Sequence, residues 1–336
     1  MSSQVPEWPW LRQTPGSRGV WGQCQFFTDP DRKECDYWVV YEGLNRRETA
    51  CCPPDNTILI TGEPPSIKKY EKQFMNQFET VITCQHTMKH PNVIHSQTGL
   101  PWWVGMKLIK TPGGRHKWKE GCLLDYDKLK SMEPPLKNKL VSVLTSEKTM
   151  TPGHVRRLKF VRWLEKEFGS EIDVFIYSIN GPEDKWDVIA PYRYHVALEN
   201  CAYPDYFTEK LVDSFLGLSY PIYYGCTNLE QYFPRTSFSK IDINNFEEAR
   251  GIIENVLSHR TYERCFPSLV NSKNLVLDKY NLFALLAEHC RTHPSISSPS
   301  RITLSPEKPS RSRTKGYFGW RAGRLKERLG TKEAKI

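Results

Sequence analysis

Apolar residues along the chain gather in short runs, and between the runs they recur every third or fourth position. The segment DYWVVYEG (36–43) has the β-branched and aromatic content of a strand, and NTILITGEPP (56–65) is a short apolar run that stops at Gly62 and Pro64, as a buried strand entering a loop would. Residues 66–78 place Ile67, Tyr70, Phe74 and Phe78 at helical spacing, and FETVITC (78–84) returns to a strand. This alternation predicts an α/β domain over 20–110. From 111 to 139 the composition turns to Gly, Pro and Lys (TPGGRHKWKEG, SMEPPLKNK), which predicts surface loops leading to a crossing between domains. A second series follows: LVSVLTS (140–146) as strand, HVRRLKFVRWLEKEFG (154–169) as helix and IDVFIYS (172–178) as strand. In that helix Val155, Leu158, Val161, Trp163 and Leu164 form a broad apolar face, and Gly169 marks its stop.

The richest stretch is 194–225, which packs a strand, a polar loop, an amphipathic helix and a second strand into the span of one βαβ unit. Its strand runs into Glu199 and Asn200, and its helix opens with Thr208, Glu209 and Lys210. Polar groups therefore gather at one end of a sheet, where open α/β sheets bind ligands and a helix N-terminus favours an anion. Further helices are expected at 245–257 and 274–289. Two α/β halves joined by a linker imply a cleft between them.

Composition narrows the partners. No apolar run reaches the roughly 18 residues of a membrane-spanning helix, and the first residues hold no apolar stretch of signal-peptide type, so the expectation is a cytoplasmic protein. The ten cysteines form no CxxC pair and no Cys/His ligand run, which indicates free thiols rather than zinc or a disulfide framework. The net charge of +9 resides entirely in residues 291–336, with twelve Lys and Arg against three Glu. Ser, Pro and Arg dominate that tail up to about 315, so disorder is expected. Beyond it Phe318, Leu325 and Leu329 share a helical face ringed by Arg321, Arg324, Lys326 and Arg328, a pattern suited either to peripheral contact with an anionic membrane or to a solvated basic tail.

A diphosphate site needs N–H donors and cations. Lys210 beside one helix N-terminus, with Arg156 or Arg157 near the start of another, can clamp one and hold it as a leaving group. Glu209 suits either a favourable helix-dipole position or an acceptor for vicinal sugar hydroxyls; Asn200 caps the loop or holds a ligand hydroxyl. Glu63, between Gly62 and two prolines, has the positioning a general base requires. Two DxD patterns, Asp29 with Asp31 and Asp125 with Asp127, are the places to look for a metal, although chance suffices to explain them. The absence of GxGxxG and GxxxxGK[ST] weakens dehydrogenase and P-loop readings.

The run LENCAYPDYFTEKLVDSFLGLSYPIYYG resembles the signature of the α-1,3-fucosyltransferases, glycosyltransferase family 10, in which FEN, a short spacer (seven residues here), TEK and then P-[IV]-x-x-G recur. SEKTMTPGHVRR (146–157) is similar to the family's donor-binding arginine segment, and ILITGEPP to the strand and loop bearing its catalytic glutamate. Leu198 stands where Phe is usual, and Cys226 and Thr227 depart from the pair usual after the last glycine.

The resemblance implies an α/β fold of GT-B type, two Rossmann-like domains facing a cleft: an acceptor-binding domain over 1–135, a donor-binding domain over 136–290, and the basic tail 291–336. It implies an inverting transfer of L-fucose from GDP-fucose to a glycan hydroxyl, O3 of GlcNAc or glucose. Arg157 and Lys210 would face the diphosphate, Glu209 the ribose, Asn200 and Tyr206 the donor pocket, and Glu63 would act as base. No cofactor or metal is required by this scheme, and no specific nucleic acid is expected. The tail would hold a cytoplasmic enzyme peripherally on the inner face of a membrane. Two alternatives stay open: another donor sugar in surface polysaccharide synthesis, and a non-catalytic membrane adaptor.

Overall fold

The computed structural model describes residues 1–29, 31–110, 116–118, 123–177 and 179–307. The amphipathic end of the tail, 316–329, lies outside them. In chain order the strands that matter are β1 (Ser2–Ser3), β2 (Trp38–Tyr41), β3 (Glu48–Cys52), β4 (Thr57–Thr61), β5 (Thr80–Thr83), β6 (Val93–His95), β7 (Lys139–Thr145), β8 (Ile172–Ile176), β9 (Tyr192–Leu198), β10 (Tyr220–Tyr224), β11 (Ser239–Lys240) and β12 (Ser300–Leu304). The helices are α1 (Lys72–Met75), α2 (Tyr126–Ser131), α3 (Pro152–Phe168), α4 (Glu209–Leu216), α5 (Phe246–Ser258), α6 (Thr261–Asp278) and α7 (Leu282–Thr292).

Two parallel five-stranded sheets result, in the orders β1-β2-β4-β5-β6 and β8-β7-β9-β10-β11. Parallel strands are covered on both faces, which is why WVVY, TILIT and TVIT are apolar without alternation. In the first sheet Val39, Tyr41, Ile58 and Ile60 face Trp10 and α7, while Trp38, Val40 and Leu59 face Phe74 and Phe78. In the second, α3, α4, α5 and α6 enclose a single core built on Val143, Val196 and Ile222. The molecule is thus α/β, with two Rossmann-like halves.

Helix boundaries follow local chemistry. Thr151 caps α3 by accepting from the His154 N–H, Pro152 occupies its first turn, and Gly169 (φ 51°) ends it. Gly153 cannot be replaced cheaply, because a Cβ there would lie 1.8 Å from the Asn200 carbonyl oxygen.

Several expectations change. Of the helix expected over 66–78 only α1 forms, because Lys68 and Tyr70 turn back to bond Glu42. Within the 111–139 loop region α2 forms, capped by Asp125, whose carboxylate accepts from the Lys128 N–H at 2.9 Å. The helix expected over 274–289 is two helices, since Asn281 ends one connection and caps α7 by accepting from Phe283 N–H. That cap redirects the chain: Leu282, Phe283 and Leu286 of α7 are buried in the N-terminal core, so the second domain stops near 280 rather than 290. Nor is the tail disordered from 291 onward. β12 pairs antiparallel with β3, buries Leu304, and leads to Glu307, whose carboxylate accepts from the Glu71 N–H at 2.7 Å.

The connection between the halves is held from both sides. In the segment 100–106, Trp102 and Val104 are buried in the C-terminal core and Trp103 and Met106 in the N-terminal core. The buried Arg12 guanidinium donates to the carbonyls of Trp102, Val104 (3.0 Å) and Leu124 (2.7 Å). Among the described residues no helix is long and apolar enough to cross a membrane.

Leu304→Ala should destabilise the protein by about 2–5 kcal/mol, the cost of a buried Leu truncation. Urea unfolding checks it, and an unchanged midpoint would show that β12 does not hold the N-terminal sheet.

Candidate functional site

The order β8-β7-β9 places a topological switch between β7 and β9, since the chain leaves β7 toward one side of the sheet and β9 lies on the other. The predicted donor residues sit there. Glu199 ends β9 with no exposed surface and accepts from the Thr208 N–H (2.7 Å) and the Thr208 hydroxyl (2.8 and 2.9 Å). Thr208 is the N-cap of α4, so this carboxylate fixes the helix start to the strand end. Lys210 Nζ lies 3.3 Å from Glu199, 3.2 Å from Glu209 and 3.0 Å from the Thr208 hydroxyl. Gly225 makes room for this arrangement: a Cβ there would stand 2.4 Å from Glu199 Cγ.

Across the switch, Arg157 donates to the Asn200 side-chain oxygen and, at 3.2 Å, to the Ser146 hydroxyl. Arg157 is buried, whereas Arg156 is exposed. Burial holds the neighbouring His154 imidazole at about 3, with Arg157, Lys148 and Lys210 adding to the effect, so His154 stays neutral. Burial likewise pulls Lys148 down to about 8, with Lys210 and Arg157 repelling its charge. Lys148 is thus a third cation in the field of this site, overlooked in the sequence although it lies in SEKTMTPGHVRR. Burial pushes the Glu209 carboxyl up, but Lys210 and Lys185 outweigh it and hold it at about 2.

The other wall comes from the N-terminal sheet. Glu63 follows β4 and is buried, and its backbone carbonyl accepts from Gln85 Nε2 at 2.7 Å. The loop before it is held by Glu42, which was not foreseen. Glu42 follows β2 in a left-handed backbone conformation (φ 64°) that costs a non-glycine residue about 1–2 kcal/mol. Its carboxylate accepts from the Gly62 N–H, the Tyr70 hydroxyl (2.7 Å) and Lys68 Nζ (2.9 Å). The Tyr41 hydroxyl is buried without a hydrogen-bond partner among the described residues. Burial, then Glu42, Glu63 and Glu209, push it well above the ordinary tyrosine range.

Glu63, Asn200, Tyr206, Glu209 and Lys210 line one cleft, with Glu42, Leu100 and Trp103 also in its walls. Arg157 joins it through Asn200. The open space is about 20 Å³, room for roughly one water. A much larger hollow, about 1660 Å³, runs elsewhere along α7 and contains none of these groups. Neither DxD pattern reaches the cleft. Asp29 accepts from the Asp31 N–H, Asp125 caps α2, and Asp127 accepts from the Gly16 N–H.

Comparison with known proteins finds a family match over most of the second domain. Residues 134–268 match the family described as glycosyltransferase family 10 (fucosyltransferase), C-terminal part. The chain is 25% identical over 127 residues to alpha-(1,3)-fucosyltransferase FucT of Helicobacter pylori, covering 38% of this chain and 23% of that protein. It is 27% identical over 115 residues to alpha-(1,3)-fucosyltransferase B of Drosophila melanogaster, covering 33% and 25%. The matched part thus spans about a quarter of the length of these relatives. A solved alpha1,3-fucosyltransferase with GDP overlays at 17% identity over 76% of this chain and 82% of that one, with a TM-score of 0.44. The family match runs from just before β7 into α6 and takes in Arg157, Asn200, Tyr206, Glu209 and Lys210, so residues 134–268 are similar to the C-terminal part of glycosyltransferase family 10 (fucosyltransferase).

Proposed function

We propose that this protein moves L-fucose from GDP-fucose to a glycan hydroxyl with inversion at the anomeric carbon. The observation that carries the reading is the shared cleft: Glu63 from one sheet stands in the same walls as Asn200, Tyr206, Glu209 and Lys210 from the other. The nucleotide occupies the switch point of the second sheet, with its diphosphate against Lys210, Arg157 and the N-terminus of α4 and its ribose against Glu209. Glu63 takes the proton of the acceptor hydroxyl as that oxygen bonds to the anomeric carbon. The bond from that carbon to the diphosphate oxygen breaks, and its electron pair leaves with GDP. Arg157 and Lys210 stabilise the charge that develops there. Because the open space admits about one water, the two halves must part for the nucleotide to enter.

The cations set the pH window. Lys148 is charged below about 8 and neutral above it, so affinity for a diphosphate should fall as pH rises through that value. Glu209, held at about 2, is ionised across the whole working range. The stability that its ion pairs contribute is therefore present above the unfolded carboxyl range and lost only as pH falls toward 2.

Glu63→Gln should lower transfer by about 10²–10⁴-fold while GDP affinity is kept; turnover at the native rate in a coupled GDP-release assay would remove Glu63 from its role. Lys210→Ala should weaken GDP binding by about 10–100-fold, the scale of a charge-assisted hydrogen bond. Calorimetry checks this, and unchanged affinity counts against the clamp. Titrating GDP between pH 7 and 9 should show a decline near 8 in the native protein that is missing in Lys148→Met. Thermal-shift comparison of GDP-fucose, GDP-mannose and UDP sugars identifies the donor; stabilisation by UDP sugars alone would overturn the fucose reading.

A further inference from the structure

Two lysines act on Glu209, and only one of them is its neighbour in α4. The other, Lys185, belongs to a short 3-10 turn (Lys185–Val188) between β8 and β9. Its ammonium lies 3.7 Å from Glu209 Oε1 and 3.1 Å from Asp213 Oδ2. Its side chain is 9% exposed, that of Glu209 6% and that of Asp213 0%, so the three charges meet out of water.

Asp213 stands four residues after Glu209, one turn along α4, so their carboxylates share a face of the helix and repel each other. Lys185 sits between them and relieves that repulsion. The remaining Asp213 oxygen accepts from the Trp103 N–H at 3.0 Å, in the segment that joins the two halves. The turn carrying Lys185 is tied to the same segment a second time, since Asp184 accepts from the Gly105 N–H at 2.9 Å as well as from Trp186 N–H. Burial opposes the charge on Lys185, but Asp213, Tyr177 and Glu209 more than offset it and raise its pKa above the ordinary lysine value. A buried charge is expensive, and this one takes no part in the transfer chemistry.

We infer that Lys185 is a positioning residue for the nucleotide: its ammonium bridges Glu209 and Asp213, aims the Glu209 carboxylate at the ribose hydroxyls, and links that grip to the Trp103 segment between the domains. This rests on the reading that Glu209 faces the ribose. It differs from a plain structural role because it acts on one part of the ligand only. With Lys185 gone, Glu209 loses one of the two cations that keep it ionised and oriented, so the contact with the ribose weakens while the diphosphate and base contacts remain.

The test compares GDP with 2′,3′-dideoxy-GDP by calorimetry on the native protein and on Lys185→Met. The native protein should prefer GDP. Lys185→Met should lose about tenfold for GDP, the scale of one hydrogen bond to a charged group, and less than about twofold for the dideoxy ligand, in which that bond is absent. The acid limit of GDP binding should also move to higher pH in the variant, because Glu209 becomes easier to protonate. Equal losses for both ligands, or no loss for either, would make Lys185 a structural residue and overturn the inference. A native protein that binds both ligands equally would overturn the ribose assignment of Glu209 itself, so the two failures separate. Should Lys185→Met not fold, Lys185→Met/Asp213→Leu removes both buried charges together and is read in the same way.

Discussion

The carboxylate of Glu199 has no exposed surface, and three separate parts of the donor half converge on it. It ends β9, it binds the residue that caps α4, and it holds the ammonium of Lys210. An unpaired carboxylate in that position would cost several kcal/mol of desolvation. Burial does push its pKa up, with Lys210 pulling the other way. The strand end, helix start and lysine are therefore fixed together, which gives this end of the sheet rigid walls. Gly225 is small because this carboxylate lies against it.

The opposite wall repeats the principle with different residues. Glu42 is buried in a costly backbone conformation, and its carboxylate gathers the Gly62 N–H, Tyr70 and Lys68. The loop that delivers Glu63 is thus held by a second buried carboxylate, at the end of the neighbouring strand β2. Lys68 also lies 4.0 Å from Glu307, just beyond β12, so the returning chain reinforces the support of the Glu63 loop. Each half of the candidate site is thus braced by its own buried carboxylate, the preorganisation that lets electrostatic stabilisation avoid a reorganisation cost.

Between the halves, adjacent tryptophans point into different cores, Trp102 into one and Trp103 into the other. A segment anchored this way transmits displacement between the domains, and Arg12 stiffens it by taking up its carbonyls. The same segment is bonded by Asp213 and Asp184, so the connection between domains and the buried carboxylates of α4 and the turn before β9 belong to one network.

The central strands of both sheets were readable from their short, continuous apolar runs, because parallel strands are buried on both faces, whereas the short edge strands β1, β6 and β11 carry no such run. The spacing from Glu199 to Lys210 was readable for a related reason: cap, first helical turn and strand end lie within a dozen residues, so local sequence carries their geometry. Helix extents were less secure. α1 shrank to one turn and the last apolar helix split at Asn281, since side chains such as Lys68, Tyr70 and Asn281 found partners that hydrophobic spacing does not register. The tail's composition predicted disorder, yet Ser300–Leu304 forms a strand because the exposed edge of β3 supplies backbone partners some 250 residues away. Glu42, Lys185 and Asp213 carry no motif, and their burial against charged partners arises only when distant elements pack. The sequence by itself determined two α/β halves and the residues of the donor signature. The tertiary structure alone decided which charges meet in the cleft, because pairing of buried charges depends on contacts between elements far apart in the chain.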